Sequence, residues 1–492
     1  MNLRKALLAL IAAMAVLPVA AKDIPQPRRE FRGAWMHVIF QAQYSEKSTA
    51  ELQQYLRDEL DKLQAAGMNA ILFQVRPSAD ALYPSEFEPW SRFLTKGGKA
   101  PEPYWDPLQF MIDETHKRGM ELHAWLNPYR VTTSPNEKLA PGHIYHKEPW
   151  RFVKYADNKI YFDPGLPENR KFIEDVVMDI VKRYDVDGIH FDDYFYPYPV
   201  KGAEFPDNTS FKKYGKGMKR DDWRRKNVDL LIEEIHSKIA DAKPWVRFGV
   251  SPFGIWRNKK SDPRGSETNG LQNYDDLYAD VLLWAQKGWI DYQLPQLYWE
   301  LEHKRASTLT LADWWNENAE GRHMYFGQDV GNIMKHPDLA PSKEKTQLRH
   351  KIELSRSLPN VQGNCWWPGY SVTANLGGVA DSLATDLQST MALVPEYPWI
   401  SKKAPETPKA VKANGKTISW NVKAPKGDTN DAVRFVVYRF SGNGIPDFDD
   451  ASAIVDITPA ASLTVSEPGV YYVTALNRVN VESVPSKPVT VK

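Results

Sequence analysis

From Phe31 to about Val394 the sequence alternates short apolar runs with helical stretches, and it does so through eight strand-like segments. These are Arg32–Val38, Ala70–Arg76, Glu121–Asn127, Gly188–Asp193, Arg247–Ser251, Tyr292–Tyr298, Met324–Gln328 and Gln362–Trp367. Helical patterns lie between them, among them Glu51–Ala66, Pro107–Arg118, Pro167–Tyr184, Trp223–Ala240 and Tyr274–Lys287. Gly67 and Gly119 end two of these as C-terminal caps. Strand alternating with helix builds a parallel sheet, and eight such units predict an α/β fold, a (β/α)8 TIM barrel over residues 28–394. A doubly wound open sheet is the alternative. Against it, no glycine-rich phosphate turn follows the first strand.

The strands also show which face is polar. Ile71, Phe73 and Val75 alternate with Leu72, Gln74 and Arg76; Leu122, Ala124 and Leu126 alternate with His123, Trp125 and Asn127; Ile189 and Phe191 alternate with His190 and Asp192. Side chains alternate with period two. The apolar set therefore meets the helices, and Gln74, Arg76, His123, Asn127, His190 and Asp192 are expected to point inward and toward the barrel mouth, where barrels build their sites. Inward polar residues are costly to bury without partners, and a hydrogen-bonded polar layer is the structural alternative. The loops leaving these strand ends are long and aromatic, with Tyr83, Trp90, Trp105, Tyr145, Trp150, Tyr194 and Tyr198 among their residues. Aromatics are 12% of the chain, with 17 Trp and 23 Tyr, a composition suited to stacking on sugar rings.

The sharpest motif is Asp187-Gly188-Ile189-His190-Phe191-Asp192-Asp193-Tyr194-Phe195-Tyr196-Pro197. Glycoside hydrolysis needs two carboxyl groups flanking one bond, and here a strand ends in two. Asp192 shares the inward parity and is the first catalytic candidate. Asp193 is expected to point outward or to start the loop, where it would hold that loop or a neighbouring arginine; it is retained as a further candidate. Gln296, Tyr298 and Glu300 share one parity, and Glu300 is the first choice for the acid. A salt bridge with Lys304 or Arg305 is the alternative for Glu300, and Asp329 is the reserve acid. Arg76, Gln74, His123, Asn127, His190, Tyr298 and Trp367 are assigned to substrate binding. The acid is expected against Trp299 or loop aromatics with a raised pKa, and Asp192 ionised beside His190 or Arg76.

Other chemistries fit less well. The single cysteine, Cys365, sits in an apolar run and reads as a small buried hydrophobe. His37, His123 and His190 are scattered over three strands, so no metal and no cofactor is expected. No Gly-x-Ser-x-Gly elbow occurs. The N-terminus reads as a cleavable signal over 1–21: Arg4 and Lys5, an apolar run from Ala6 to Val16, Pro18, then small residues before Lys22. No cysteine follows for a lipid anchor, no other stretch is long and apolar enough to span a bilayer, and the expected location is periplasmic or secreted. Removing Arg4 and Lys5 turns the net charge of +1 slightly negative, which leaves no basic face for nucleic acid. A nearly neutral polysaccharide suits this chain better as a partner. A non-catalytic glycan-binding protein with a degenerate barrel is the second reading.

Several motifs occur in a fixed order: Phe31-Arg32-Gly33-Ala34-Trp35, Asn69–Arg76, His123–Pro128, Asp187–Pro197, Gly249–Gly254 and Pro295–Trp299. Together they resemble the glycosyl-hydrolase-like family ten of bacterial secreted proteins. The resemblance implies a (β/α)8 barrel and hydrolysis of a polysaccharide, peptidoglycan glycan strands lacking stem peptides first among them. It places the family's strand-four Asp pair on Asp192 and Asp193. The chitinase pattern Asp-Gly-x-Asp-x-Asp-x-Glu is similar but departs at two positions, with His190 for the second Asp and Tyr194 for the Glu. After a Pro-rich linker, 395–408, the segment 409–492 reads as all strand. Trp420, Phe435–Arg439, Tyr471–Ala475 and Glu482-Ser483 resemble a fibronectin type III sandwich, without a catalytic grouping.

Overall fold

The structure, a computed structural model, describes residues 24–442 and 444–492. The expected signal segment, 1–21, lies outside the described residues. Eight parallel strands close into one barrel: β1 (Phe31–Met36), β2 (Ala70–Arg76), β3 (Glu121–Leu126), β4 (Gly188–Phe191), β5 (Arg247–Val250), β6 (Tyr292–Gln293), β7 (His323–Asp329) and β8 (Val361–Trp367). Closure comes from β1 against β8, in the register Phe31↔Gly363 to Ala34↔Trp366. Helices α1 (Thr49–Ala65), α2 (Pro107–Lys117), α3 (Pro167–Arg183) and α4 (Arg220–Ala242) are among those on the outside.

Local chemistry starts these helices. Ser48 and Glu51 form a capping box at α1. Asp106 accepts from the Leu108 and Gln109 N–H groups at 3.1 Å, with Pro107 opening α2. The helix expected over Tyr274–Lys287 is instead two short pieces, Asn273–Asp276 and Val281–Lys287. Tyr278 interrupts them with φ of +54°, and Asp280 restarts the second by accepting from Leu283 N.

Two apolar layers result. Ile71, Phe73, Val75, Leu122, Ile189 and Phe248 face the helices. Phe31, Trp35, Leu72, Trp125, Tyr292, Tyr325 and Cys365 fill the barrel interior. No helix among the described residues is long and apolar enough to cross a membrane.

The C-terminal region is two antiparallel sheets. Strands β9 (Lys409–Asn414), β10 (Thr417–Asn421), β11 (Ala432–Phe440), β12 (Ile454–Thr458), β13 (Ser462–Thr464), β14 (Gly469–Asn477) and β15 (Val489–Val491) form sheets of order β9-β10-β13 and β12-β11-β14-β15. Trp420, Phe435, Val437, Tyr471 and Val473 make the core between them. This sandwich is docked on the foot of the barrel, at the N-terminal ends of its strands. Val436, Tyr438 and Leu476 pack with Leu393. Gly119, φ +73°, lies so close to the sandwich that an added Cβ would stand 2.0 Å from the Ile457 carbonyl oxygen. The Pro-rich segment begins as part of this joint: Tyr397 is buried against the Arg247 guanidinium, and Trp399 donates to Asp291 at 2.8 Å.

Candidate active site

A cavity of about 360 Å³ opens at the C-terminal ends of the barrel strands, a size suited to a few sugar-sized groups. Every strand end but that of β7 contributes. Trp35 comes from β1, Gln74 from β2, Trp125 from β3 and Trp367 from β8. Asp192 and Asp193 follow β4, Ser251 follows β5, and Gln296 and Tyr298 lie beyond β6. Trp35, Trp125 and Trp367 stand edge to face, with ring centroids 6.0–6.3 Å apart where Trp367 meets the other two. Phe40, 76% exposed, is on the rim.

Both aspartates reach this cavity, and both are buried. The ladder of β4 ends at Phe191, so strict alternation lapses there and the turn carries both carboxyls inward. Asp192 accepts from Asn127 Nδ2 at 2.9 and 3.0 Å, from Trp125 Nε1 at 3.1 Å and from Tyr194 N at 3.2 Å. Burial pushes its carboxyl up, opposed by the Arg130 charge and by those donors. Asp193 accepts from the Tyr198 hydroxyl. Burial and the neighbouring Asp192 charge push Asp193 up to about 6, against Tyr198 and Gln296. The two carboxyls thus sit in unequal settings: both are pushed up by burial, but Asp192 accepts from three N–H groups, whereas Asp193 also faces the Asp192 charge and accepts from the Tyr198 hydroxyl. That is the pairing acid–base chemistry requires.

Of the residues singled out from the sequence, Gln74, Asp192, Asp193, Tyr298 and Trp367 line the cavity. Asn127 lies behind it and holds Asp192. Glu300 does not line it. β6 pairs only through Tyr292 and Gln293, with an isolated bridge at Gln296, and the chain then turns away. Glu300 pairs with His336 at 2.9 Å, not with Lys304 or Arg305. Asp329 caps a short helix by accepting from Asn332 N at 2.8 Å. Arg76 is buried beside the mouth but committed: it pairs with Glu88 at 2.6 Å and donates to the Asn127 and Pro128 carbonyls. Neither Arg76 nor His190 is a partner of Asp192.

His123 and His190 belong to a polar column down the barrel axis. Their rings and that of Tyr292 occupy space that glycines leave open. A Cβ at Gly188 would stand 2.5 Å from His123, and one at Gly249 2.1 Å from Tyr292. The column's direction is set by its ends. Trp35 Nε1–H can only donate, and it lies 3.3 Å from His190 Nε2, which is itself 2.9 Å from Ser251 Oγ. His190 Nε2 therefore accepts, and Nδ1–H donates to the Tyr292 oxygen at 3.0 Å. The Tyr292 hydroxyl donates to His123 Nδ1 at 2.8 Å, and His123 Nε2–H to Glu121 at 3.1 Å. Glu121, a pure acceptor, closes the chain. Burial holds His190 well below the usual imidazole range, so it stays neutral. These two histidines therefore support the cavity floor from below.

Trp125, Trp35, Arg130, Tyr198, Ser251 and Gln296 are cavity residues that were not assigned from sequence. Trp125 and Gln296 carry the inward parity that could have found them. Arg130 and Tyr198 are on loops, where no period operates. Among the described residues, no three His, Cys, Asp or Glu side chains converge as metal ligands.

The family model described as Glycosyl hydrolase-like 10 matches residues 30–341, from β1 to beyond β7. The chain belongs to the glycosyl hydrolase-like 10 family. It is similar to the glycosyl hydrolase YngK of Bacillus subtilis, at 41% identity over 89% of this chain and 88% of that protein. It is also similar to the glycosyl hydrolase DigH of Escherichia coli K12, at 36% identity over 70% of this chain and 84% of that protein. Among solved structures, the PgaB (BpsB) glycoside hydrolase domain from Bordetella bronchiseptica aligns at 12% identity with a TM-score of 0.45, covering 73% of this chain and 99% of that one. The protein is a glycoside hydrolase of this family, and its cavity stands where a barrel enzyme carries out its chemistry.

Proposed function

We propose that this enzyme cleaves bacterial glycan, with peptidoglycan strands lacking stem peptides as its substrate, and that Asp192 and Asp193 are its two working carboxyls. The observation that carries the mechanism is the asymmetry of the pair, with Asp193 pushed up to about 6 beside a hydrogen-bonded Asp192. Asp193 protonates the leaving oxygen. Asp192, whose three N–H donors favour its anion against the upward push of burial, works on the anomeric side, against the positive charge that develops on the ring as water takes the place of the leaving sugar. Trp35, Trp125, Trp367 and Tyr298 offer flat surfaces to the sugars. Glu300 is set aside as the acid because it faces His336 outside the cavity.

We propose also that the enzyme works outside the cytoplasm, on the strength of the signal-like residues Arg4 to Ala21. Stripped strands, intact peptidoglycan and a neutral polysaccharide, each assayed for new reducing ends, test the substrate. Turnover on stripped strands, abolished by Asp192→Asn and Asp193→Asn in folded protein, supports the reading. Cleavage of the neutral polysaccharide alone overturns the substrate, and full activity of either variant overturns the pair. Recovery of the full-length chain in the cytoplasmic fraction of its host overturns the location.

A further inference from the structure

Among the described residues, Arg130 is the one arginine or lysine lining the cavity. Its backbone N–H donates to Asn127 Oδ1 at 2.9 Å, which ties it to the residue holding Asp192. The guanidinium lies over the Tyr194 ring, 5.0 Å from its centroid, which fixes its plane. Nε and Nη2 both donate to the Pro77 carbonyl oxygen, at 3.3 and 3.0 Å. A guanidinium has five N–H donors. Those two bonds use the Nε–Nη2 edge; the end-on edge, with one N–H from Nη1 and the second N–H of Nη2 side by side, has no acceptor among the described residues.

Nor does Arg130 form an ion pair among the described residues. Arg32, Arg76, Arg224 and Arg247, buried elsewhere in the barrel, each hold a carboxylate at 2.6–2.7 Å. Asp192 feels the Arg130 charge through space, not by contact. An arginine fixed in plane, with one edge free in a substrate cavity, is arranged for a planar anion received through two parallel N–H bonds.

We propose that Arg130 is a specificity-determining residue that receives a free carboxylate borne by the glycan, namely that of the lactyl ether exposed when a stem peptide is removed. This rests on reading the cavity as a site for stripped strands. It also supplies a reason for that preference. A stem peptide turns the lactyl carboxylate into a neutral amide, which cannot accept a charged two-bond contact, and it adds a chain that must pass the rim at Phe40 and Tyr198.

The test compares two substrates: stripped strands, and the same strands with their carboxylates converted to methylamides by carbodiimide coupling. The wild type is expected to favour the free-carboxylate strands, and Arg130→Gln to lower that preference in kcat/KM about tenfold or more. Arg130→Lys, which keeps the charge but not the fork, is expected to fall between them. Equal losses on both substrates would show that Arg130 acts through Asp192, and would overturn the proposal. Binding of both strand preparations to Asp193→Asn, with and without Arg130→Gln, gives a readout free of turnover. Tighter binding of the free-carboxylate strands that disappears with Arg130→Gln supports the proposal; equal binding, or none, overturns it. If the wild type hydrolyses neither preparation, the functional reading fails while the binding result still decides the role of Arg130.

Discussion

Arg434, on β11 of the sandwich, donates to Glu121 at the foot of barrel strand β3 at 3.1 Å. Glu121 is fully buried. It also holds Arg247 at 2.6 Å, Asn480 at 3.0 Å and His123 at 3.1 Å. Two arginines keep its carboxyl well below the usual range despite complete burial. The sandwich thus completes the shell of a buried charge from which the axial column rises to the cavity floor.

Removing the sandwich is therefore expected to destabilise the barrel. A chain ending at Ile400 loses Arg434 and Asn480 and leaves Glu121 with fewer partners. Arg434→Ala alone should cost about 3 kcal/mol, as breaking a buried ion pair does. Urea unfolding of the full chain and of Arg434→Ala measures it; an unchanged midpoint would make the contact superficial.

The alkaline limb of turnover should follow Asp193. A carboxyl titrating at about 6 is a proton donor below that pH and an anion above it. kcat is expected to fall tenfold per unit well above pH 6. Tyr198→Phe removes one donor to the ionised form, so the limb should move to higher pH. A limb that stays in place would separate it from Asp193.

Stability should carry the opposite mark of the same group. The folded-state value of Asp193 lies above its ordinary 3.8, so stability is lost as pH rises from about 4 to 6 and stays lost beyond. The loss is about 3 kcal/mol. Asp193→Asn should abolish turnover, match the wild-type melting temperature at pH 4 and exceed it at pH 8. Equal melting temperatures at both pH values would mean the ionised form costs nothing.

Tyr292→Phe keeps the ring and deletes one oxygen, which leaves His190 Nδ1–H and the His123 Nδ1 lone pair facing a gap. A cost of about 2 kcal/mol is expected for two buried polar groups without partners. Combined with Arg434→Ala, the effects should be non-additive, because both act on one column. Strict additivity in a double-mutant cycle would show that the column does not transmit position.

Glu300→Gln should leave kcat within about twofold of the wild type, because its carboxylate pairs with an exposed His336 and, among the described residues, forms no other ion pair. A loss comparable to that of Asp192→Asn would return Glu300 to the mechanism.

The amino-acid sequence by itself determined the architecture and the location of the chemistry. The alternation of apolar runs with helical stretches located all eight strands, although the one read as Tyr292–Tyr298 pairs only over Tyr292–Gln293, and Gly67 and Gly119 do adopt the left-handed conformation of helix ends. The run Asp187–Pro197 brought two carboxyls to one strand end because strand ends in a barrel converge on one mouth. What parity cannot encode is height along the axis. His123 and Gln74 share an inward face, yet one meets Glu121 at the foot and the other lines the mouth, because the β2–β3 pairing sets His123 beside Leu72, two residues below Gln74. Nor does parity continue where a ladder stops. Past Phe191 it would have turned Asp193 outward, and past Gln296 it would have brought Glu300 in. Both outcomes were decided by the path of the loops, which is held by contacts between residues far apart in the chain.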